Sequence, residues 1–139
     1  MAEKSLKLEI VTPHGLAVSA KVEEVYLPGL KGDLDVLPGH APLLTSLRIG
    51  ELHYRWGKEI TYMAINRGFA EITASKVTIL TDSAEAAENI DVQRAQEAKA
   101  RAEEALRSLS KDHPSYASTR AALERAQIRL RVAAKASHA

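Results

Sequence analysis

Glycine disappears abruptly part-way along this chain, and that change limits the folds the chain can adopt. All seven glycines lie at or before Gly68, whereas residues 91–139 contain no glycine, one proline (Pro114) and thirteen alanines. Glycine and proline mark turns, and alanine has the highest helix propensity. The sequence therefore predicts a turn-rich N-terminal half and a helical C-terminal half, with the change near residue 84.

The N-terminal half alternates apolar and polar residues with a period of two, which is typical of β-strands. Leu6, Leu8 and Ile10 alternate with charged residues, and turn residues such as Gly57-Lys58 separate later segments. Those apolar segments lie at residues 22–27, 60–64, 69–73 and 77–79. Short strands at this spacing predict an all-β antiparallel sandwich or a flattened barrel.

The C-terminal half carries small and apolar residues at helical spacing, in two runs separated by a break at residues 110–114. The first stripe is Ala95, Ala98, Ala102, Ala105 and Leu109, and the second is Tyr116, Thr119, Leu123, Ala126, Leu130 and Ala133. Steps of three and four place each set on one helix face. We therefore predict an antiparallel helical hairpin, with Asp91 as the N-cap of its first helix. Because alanine buries little area, the hairpin should be only marginally stable alone.

The sequence contains no recognisable catalytic or metal-binding constellation. There is no cysteine, which excludes disulfides, thiolate nucleophiles and cysteine-ligated zinc. The five histidines are scattered without helical pairing, so we expect no metal site. His40 lies in a Pro-Gly turn without a serine or cysteine nucleophile motif, and no GxxxxGK[ST] loop is present. We predict no catalytic residue.

Charge and hydropathy exclude two classes of partner. The formal net charge is +1, which argues against broad electrostatic binding to nucleic acid. The stretch before Pro13 is too short and too polar for a signal peptide, and no apolar run approaches the length of a membrane span. We expect any association with a membrane to run only through partner proteins.

Four arginines of the predicted hairpin form a candidate binding cluster. Arg94 and Arg101 share one face of the first helix, and Arg125 and Arg129 share one face of the second. Folding the hairpin about residue 112 would bring these guanidinium groups to matching heights. Their mutual repulsion would then call for an anion, and phosphate fits because guanidinium binds it in a bidentate manner.

The same arginines also fit a solvated helix face. Glu97 is four residues before Arg101, and Glu124 is next to Arg125, so ordinary surface ion pairs can satisfy both cations. From the residues alone, this simpler interpretation is the one we favour.

The segment from Leu27 to Leu47 carries the most specific signal. It contains two Pro-Gly pairs that predict two exposed turns around a short strand, and it reads LPGLKGDLDVLPGHAPLLTSL. This segment resembles the hallmark of the epsilon subunit family of bacterial F-type ATP synthases. The later stretches GELHY and IDVQRAQEAKARAEEAL are also similar to that family, so the likeness covers nearly the whole chain. Asp35 departs from the pattern, because the family usually has glycine there.

The resemblance implies an architecture and a role. The architecture is a ten-stranded β-sandwich over residues 1–85, followed by a two-helix hairpin over residues 86–139. The role is that of a non-catalytic central-stalk (rotor) subunit of a proton-translocating ATP synthase, which couples c-ring rotation to ATP synthesis and restrains ATP hydrolysis through its C-terminal helices. The implied partners are the gamma subunit, the c-subunit ring and the catalytic beta subunits, at the cytoplasmic face of the bacterial inner membrane. No cofactor is required.

The resemblance also implies three sets of site residues. A regulatory ATP site would use Asp91, Arg94, Arg101, Arg125 and Arg129. Contact with gamma or the c-ring would use Lys31, Gly32, Asp33 and His40. Contact with an acidic segment of beta would use Arg120, Arg125, Arg129 and Arg131.

Two other function classes remain open at this point. One is a β-sandwich binding or adaptor module with a helical tail. The other is a small hydrolase, which the absence of a nucleophile or metal constellation disfavours.

Overall fold

The computed structural model describes residues 5–136, which form ten strands, a short 3-10 helix and two α-helices. The strands are β1 (Leu6–Thr12), β2 (Gly15–Val22), β3 (Glu24–Leu27), β4 (Leu34–Val36), β5 (Leu43–Leu47), β6 (Gly50–Trp56), β7 (Glu59–Ile65), β8 (Gly68–Ile72), β9 (Lys76–Thr81) and β10 (Ala84–Ala86). The 3-10 helix is Ala87–Asn89, and the α-helices are α1 (Val92–Arg107) and α2 (Tyr116–Ala136). This architecture confirms the predicted sandwich followed by a helical hairpin.

The strands form two five-stranded sheets packed face to face. The first sheet has the order β2-β1-β9-β8-β5, and the second has the order β10-β7-β6-β3-β4. The predicted alternation is confirmed in β1, where Leu6, Leu8 and Ile10 are buried and Lys7 is exposed. Inward side chains from both sheets build one core of fifteen buried residues among those described.

One strand pair differs from the antiparallel pattern we predicted. β1 and β9 pair in parallel, with Leu8 opposite Val77. Strands joined by a tight turn must run antiparallel, but β1 and β9 are separated by the whole sandwich, and a long connection permits either direction.

The apolar segment at residues 22–27 is divided between the two sheets. β2 ends at Val22 in the first sheet, and β3 begins at Glu24 in the second. Glu23 holds the crossing point: its amide donates to the Arg55 carbonyl at 2.8 Å, and its carboxylate accepts from the Gly57 amide at 2.6 Å. These bonds replace the strand pairing that a crossing residue loses.

The α-helices have clear start signals. Asp91 Oδ1 accepts a hydrogen bond from the Arg94 amide at 3.1 Å, which confirms Asp91 as the N-cap of α1. The connection between the helices spans residues 108–115, longer than the predicted break, and leaves Leu109 outside α1. Before α2, the Ser115 amide donates to His113 Nδ1 at 3.0 Å.

The hairpin, defined here as α1 and α2, lies folded against the sandwich. α2 packs on α1. It also packs on β6 and β7 of the second sheet and on the 3-10 helix. Its fully buried Val132 meets Ala64, Ala87 and Ile90, with Tyr62 and Ile128 among the partly buried neighbours. No helix between residues 5 and 136 is long and apolar enough to span a bilayer.

Candidate anion-binding site

A cleft of about 560 Å³ lies where both helices of the hairpin meet the end of β10. Four of the five residues predicted for nucleotide line it: Asp91, Arg94, Arg101 and Arg129. Helical spacing explains part of this convergence, because Arg94 and Arg101 share one face of α1, and Arg129 of α2 lines the same cleft. The cleft is within the size range of small-molecule sites.

Arg129 is held in the cleft by a residue that the sequence did not indicate. Its Nε lies 2.6 Å from Oε1 of Glu85 in β10, and each side chain is about one-third exposed. Glu85 is 44 positions away from Arg129, so no local pattern links the two. A charge-assisted hydrogen bond of this length is stronger than a neutral one.

The two α1 arginines that line the cleft remain available for a ligand. Neither the Arg94 nor the Arg101 guanidinium forms a salt bridge or side-chain hydrogen bond within residues 5–136. The Glu97–Arg101 pair that a solvated face would use is not formed, and Glu97 accepts from Gln93 Nε2 at 3.4 Å instead. The cleft therefore presents unpaired cationic donors beside the carboxylates of Glu85 and Asp91, an arrangement suited to an anion with several oxygens.

Arg125 does not line this cleft with the other four residues. It lines a neighbouring cavity of about 10 Å³ together with Asn66 and Arg129. That volume holds about one water molecule and is too small for a phosphate. Asn66 Oδ1 is buried there without a hydrogen-bond partner among the described residues. Arg125 is one turn nearer the start of α2 than Arg129, which carries its side chain past the edge of the cleft.

The residues predicted to contact gamma or the c-ring lie on two turns of the sandwich. Lys31 and Gly32 are exposed between β3 and β4. Asp33 accepts from Arg48 Nη1 at 2.5 Å and from the Tyr26 hydroxyl at 3.0 Å. The Arg48 guanidinium holds the pKa of Asp33 below its usual value, while the bond to Asp33 raises the pKa of Tyr26.

The second of these turns contains His40, and the short strand between the turns contains Asp35. The Nδ1–H of His40 donates to the Ala41 carbonyl at 2.6 Å, and His40 is partly exposed. Asp35 lies in β4 opposite Tyr26 and does not have a positive φ, so it needs no glycine-like backbone. Partial burial and the neighbouring Glu24 carboxyl raise the pKa of Asp35.

The residues predicted to contact beta do not share one surface in this position of the hairpin. Arg120 and Arg131 are exposed on α2, and Arg120 lies 3.9 Å from Glu124. Arg125 and Arg129 instead face the sandwich and are partly buried. A partner can therefore reach only half of this set while the hairpin is folded down.

A second candidate surface is apolar and was not predicted. Leu44, Phe69 and Leu80 project from the outer face of the first sheet and are 71%, 55% and 52% exposed. Phe69 pairs across strands with Leu80, and a groove of about 750 Å³ continues from Phe69 to Tyr116 of α2. Period-two alternation marks two strand faces but does not show which one faces water. Contiguous apolar surface of this kind marks a partner site.

Metal chemistry has no support from the described residues. Between residues 5 and 136, no three His, Asp or Glu side chains come together in a way that could hold a metal ion. The two candidate surfaces are therefore the arginine-lined cleft and the apolar face.

Solved structures with the same fold include chains of two ATP synthase assemblies. A chain of the Euglena gracilis mitochondrial ATP synthase, solved as OSCP/F1/c-ring in rotational state 1, superposes with a TM-score of 0.80 at 22% identity and covers 100% of this chain and 84% of that one. A chain of the Tetrahymena thermophila mitochondrial ATP synthase central stalk/c-ring gives a TM-score of 0.56 at 16% identity, covering 99% of each. At these identities the likeness shows the fold.

Sequence comparisons show the family. The family description "ATP synthase, Delta/Epsilon chain, beta-sandwich domain" matches residues 5–87, and "ATP synthase, Delta/Epsilon chain, long alpha-helix domain" matches residues 88–134. The ATP synthase epsilon chain of Geotalea uraniireducens (strain Rf4) is 51% identical, and that of Geobacter metallireducens is 49% identical, each over 137 residues that cover 99% of both chains. This chain therefore belongs to the ATP synthase epsilon chain family, whose members are non-catalytic subunits of the ATP synthase complex.

Proposed function

We propose that this chain is a central-stalk rotor subunit of a proton-translocating ATP synthase, in which the sandwich grips the stalk and the hairpin restrains ATP hydrolysis. The observation that carries the proposal is the two-part build of the molecule. The sandwich has one large core and an apolar outer face on its first sheet. The hairpin packs on the side of the second sheet, and the apolar cluster at that contact contains only four buried residues among those described. We assign residues 1–85 to stalk binding and residues 86–139 to regulation.

The apolar face of the sandwich suits a permanent partner, and we assign it to the gamma subunit. Leu44, Phe69 and Leu80 supply the desolvated centre that stable interfaces need. The turns that carry Lys31, Gly32, Asp33 and His40 would complete the contact with gamma or the c-ring. Membrane association at the cytoplasmic face of the bacterial inner membrane would then run through these partners alone.

Co-purification tests the stalk assignment. Leu80→Glu places a charge at the centre of the apolar face and should abolish co-purification with gamma, while Leu16→Glu, at a 58% exposed leucine on β2, serves as the matched control. If the native chain does not associate with gamma, the stalk assignment fails, and the alternative of a sandwich adaptor module with a helical tail is favoured.

The basic side of α2 suits an acidic segment of the catalytic beta subunit. Arg120 and Arg131 are exposed, whereas Arg125 and Arg129 become available only when α2 leaves the sandwich. The extended hairpin would then present all four cations and block rotation in the hydrolysis direction, with an attraction that salt weakens. This arrangement makes folding down and inhibition mutually exclusive.

Truncation of the assembled complex tests the inhibitory role. Deleting residues 91–139 should raise the ATPase rate of the complex while assembly stays intact, because the sandwich keeps its partner surface. Full-length chain carrying Arg107→Gln, which removes an exposed cation of α1 that pairs with Glu104, should behave as native. An unchanged ATPase rate after truncation would contradict the role.

The arginine-lined cleft suits ATP as a regulatory ligand, with no cofactor required for assembly. A polyphosphate between Arg94, Arg101 and Arg129 would join both helices to the end of β10 and favour the folded-down hairpin. A ligand shifts this balance only by its difference in affinity for the two positions.

Calorimetry of the full chain with magnesium-free ATP tests the site. Arg101→Gln should weaken binding at least tenfold, and Arg107→Gln, on the same helix but outside the cleft, should not. No heat of binding at millimolar ATP would rule the nucleotide site out.

A further inference from the structure

Three lysines lie in a row on the outer face of the first sheet. Lys7 of β1 is opposite Lys21 of β2 in the antiparallel register and opposite Lys76 of β9 in the parallel register. Their neighbours Leu8 and Val77 are buried in the core, so the three lysines project from the solvent side of the sheet. Like charges directly opposite each other on a strand pair are destabilising. The fold therefore holds this row together against its own repulsion.

A carboxylate neutralises one of the three lysines. Lys76 Nζ lies 2.6 Å from Oε1 of Glu9, and this hydrogen bond lowers the pKa of Glu9. Neither Lys7 nor Lys21 forms a salt bridge or a side-chain hydrogen bond within residues 5–136. Two positive charges thus remain uncompensated on neighbouring strands.

A cleft of about 380 Å³, here called the lysine cleft, lies between these two lysines and the turn before β9. Besides Leu6 and Ala20, its lining consists of the two lysines and three serines, Ser5, Ser19 and Ser75. The three hydroxyls form no side-chain hydrogen bond with any described residue, and no carboxylate in the described part of the chain lines the cleft. The lysine cleft therefore offers ammonium and hydroxyl donors that no acceptor of the chain occupies.

An aromatic ring restrains the ammonium of Lys21 near the cleft. Its Nζ lies 5.7 Å from the centre of the Trp56 ring, within the range of a cation–π interaction. Trp56 is the last residue of β6, so this contact joins an edge lysine of the first sheet to the second sheet. A donor that is already restrained loses less conformational entropy when a ligand binds.

A phosphate group fits this set of donors. Ammonium groups bind phosphate as point charges, hydroxyls add directional hydrogen bonds, and the volume accommodates the group with part of the molecule that carries it. We infer that Lys7, Lys21 and the three serines form a second anion site, which binds a phosphate group on the sandwich itself. A free phosphate and the headgroup of a phospholipid share this chemistry.

The lysine cleft is separate from the apolar face and from the arginine-lined cleft. Leu80 of the apolar face is four residues beyond Lys76 in β9, which is about 13 Å at roughly 3.3 Å per residue. The arginine-lined cleft lies between the hairpin and β10, which belongs to the second sheet. Since no helix residue lines the lysine cleft, phosphate should bind there in either position of the hairpin, and the site does not depend on the proposed function.

Residue-resolved NMR of the full chain during titration with inorganic phosphate tests the site. The amides of Lys7, Lys21 and Ser75 should shift together at millimolar phosphate, whereas sodium chloride at equal ionic strength only screens charges and should not reproduce the shifts. Lys7→Gln should weaken binding at these amides about fivefold. Lys111→Gln, at an exposed position in the connection between the helices, should leave it unchanged. Shifts confined to α1 and α2 would show that phosphate binds only the arginine-lined cleft and would overturn the site, as would the absence of any shift.

Urea denaturation with and without phosphate separates a binding role from a structural one. Phosphate should stabilise the native sandwich by mass action, and Lys7→Gln should lose most of that gain. Without phosphate, Lys7→Gln should be at least as stable as the native chain, because it removes the repulsion with Lys21. A variant that is less stable without phosphate, yet equally stabilised by it, would show that Lys7 only supports the sheet and would overturn the site.

Co-sedimentation with vesicles identifies the source of the phosphate group. Phosphatidylcholine vesicles that contain phosphatidic acid present a phosphomonoester, and pure phosphatidylcholine vesicles are the control. Sedimentation that depends on phosphatidic acid and falls about fivefold in Lys21→Gln assigns a lipid headgroup. Binding of free phosphate without sedimentation assigns a soluble phosphate compound, and binding of neither overturns the lysine cleft as an anion site.

Discussion

The sandwich and the hairpin are held together by very different amounts of apolar contact. Fifteen buried residues from both sheets form the core of the sandwich, whereas four buried residues, among those described, form the apolar contact beneath the hairpin. Since each fully buried large aliphatic side chain contributes about 1.5–3 kcal/mol, the sandwich is strongly specified and the position of the hairpin is not. Under the proposed function, the sandwich would be the part that stays fixed and the hairpin the part that moves.

β7 contributes both to the core of the sandwich and to the apolar contact beneath the hairpin. Met63 and Ile65 point into the core of the sandwich, while Tyr62 and Ala64 face the hairpin. If the hairpin leaves, β7 keeps its core side and exposes only a small apolar surface. The sandwich should therefore stay folded in both positions of the hairpin, which is the condition for a switch with two states of similar free energy.

The largest expected effect comes from a cavity in the core. Ile79→Ala in the central strand β9 removes a fully buried side chain and should lower the free energy of unfolding by about 3–4 kcal/mol. Leu80→Ala, at the next residue on the opposite face and 52% exposed, should change it by less than about 0.5 kcal/mol. Urea denaturation of both variants measures the difference, and equal losses would contradict the assignment of the two faces.

A backbone constraint in the same sheet should have the next largest effect. Gly68 has a φ of 154°, and a Cβ there would lie 1.9 Å from the Leu80 carbonyl oxygen. Gly68→Ala should cost about 2–3 kcal/mol by the same measurement, because backbone atoms have to move. Gly57→Ala, at a φ of 62° with open space around it, should cost only about 1 kcal/mol. A harmless Gly68→Ala would show that β8 and β9 are not packed this closely.

The hairpin contact should respond more weakly and without affecting the sandwich. Val132→Ala removes two methyl groups from the centre of the interface and should weaken docking of α2 by about 1–1.5 kcal/mol. Hydrogen exchange at the amides of α2 should accelerate while exchange in the core strands stays unchanged. Val92→Ala, at a 44% exposed residue of α1, is the control. Acceleration in both regions together would mean that the two regions unfold as one unit.

The sandwich and the hairpin also differ in which of their features can be predicted from sequence. Local periodicity predicted the strands and helices because side-chain spacing follows backbone geometry directly. It marked Ile60, Tyr62 and Ala64 as one face of a strand. It could not show whether that face packs into the core of the sandwich or against the hairpin, and in the structure Tyr62 and Ala64 pack against the hairpin. What lies over a strand is decided by contacts distant in sequence.

The same limit applies to the candidate site. Helical spacing brought Arg94, Arg101 and Arg129 together correctly, because each helix carries its own register. It also grouped Arg125 with them, although Arg125, one turn before Arg129 in α2, lines a neighbouring cavity instead. Glu85 was missed because its pairing with Arg129 depends on how the hairpin docks, which no local pattern encodes.

A change at the N-cap of α1 should have a smaller effect, confined to the hairpin. Asp91→Ala leaves the Arg94 amide without its acceptor and should destabilise the first turn of α1 by about 1 kcal/mol. Faster hydrogen exchange at that amide and a small loss of helical circular dichroism would show it. Asp112→Ala, in the connection between the helices, should change neither. No change in Asp91→Ala would mean that the cap contributes nothing measurable.

The smallest effects should be the pH responses of two neighbouring carboxyl groups, Asp33 just before the short strand β4 and Asp35 within it. The pKa of Asp33 is lowered by its bond to Arg48, so the unfolded chain binds the proton more readily. Its contribution to stability is therefore present above the pKa of the unfolded state and is lost as pH falls through the folded pKa. Asp33→Asn should remove less than about 1 kcal/mol at neutral pH, because the side chain is one-third exposed, and should flatten the loss of stability on acidification.

Asp35, two residues away, should respond with the opposite sign. Its pKa is raised by partial burial and by the Glu24 carboxyl, so its favourable contribution is present below the pKa of the unfolded state and is lost as pH rises through the folded pKa. Asp35→Asn should therefore stabilise the sandwich slightly at neutral pH, where Asp33→Asn destabilises it, in urea titrations at several pH values. If both variants shifted stability in the same direction, the ion pair with Arg48 and the repulsion by Glu24 would not be the dominant interactions of these two carboxyl groups. Because both residues belong to the sandwich, docking of the hairpin should be the same in either variant, which separates a local charge effect from a change in the switch.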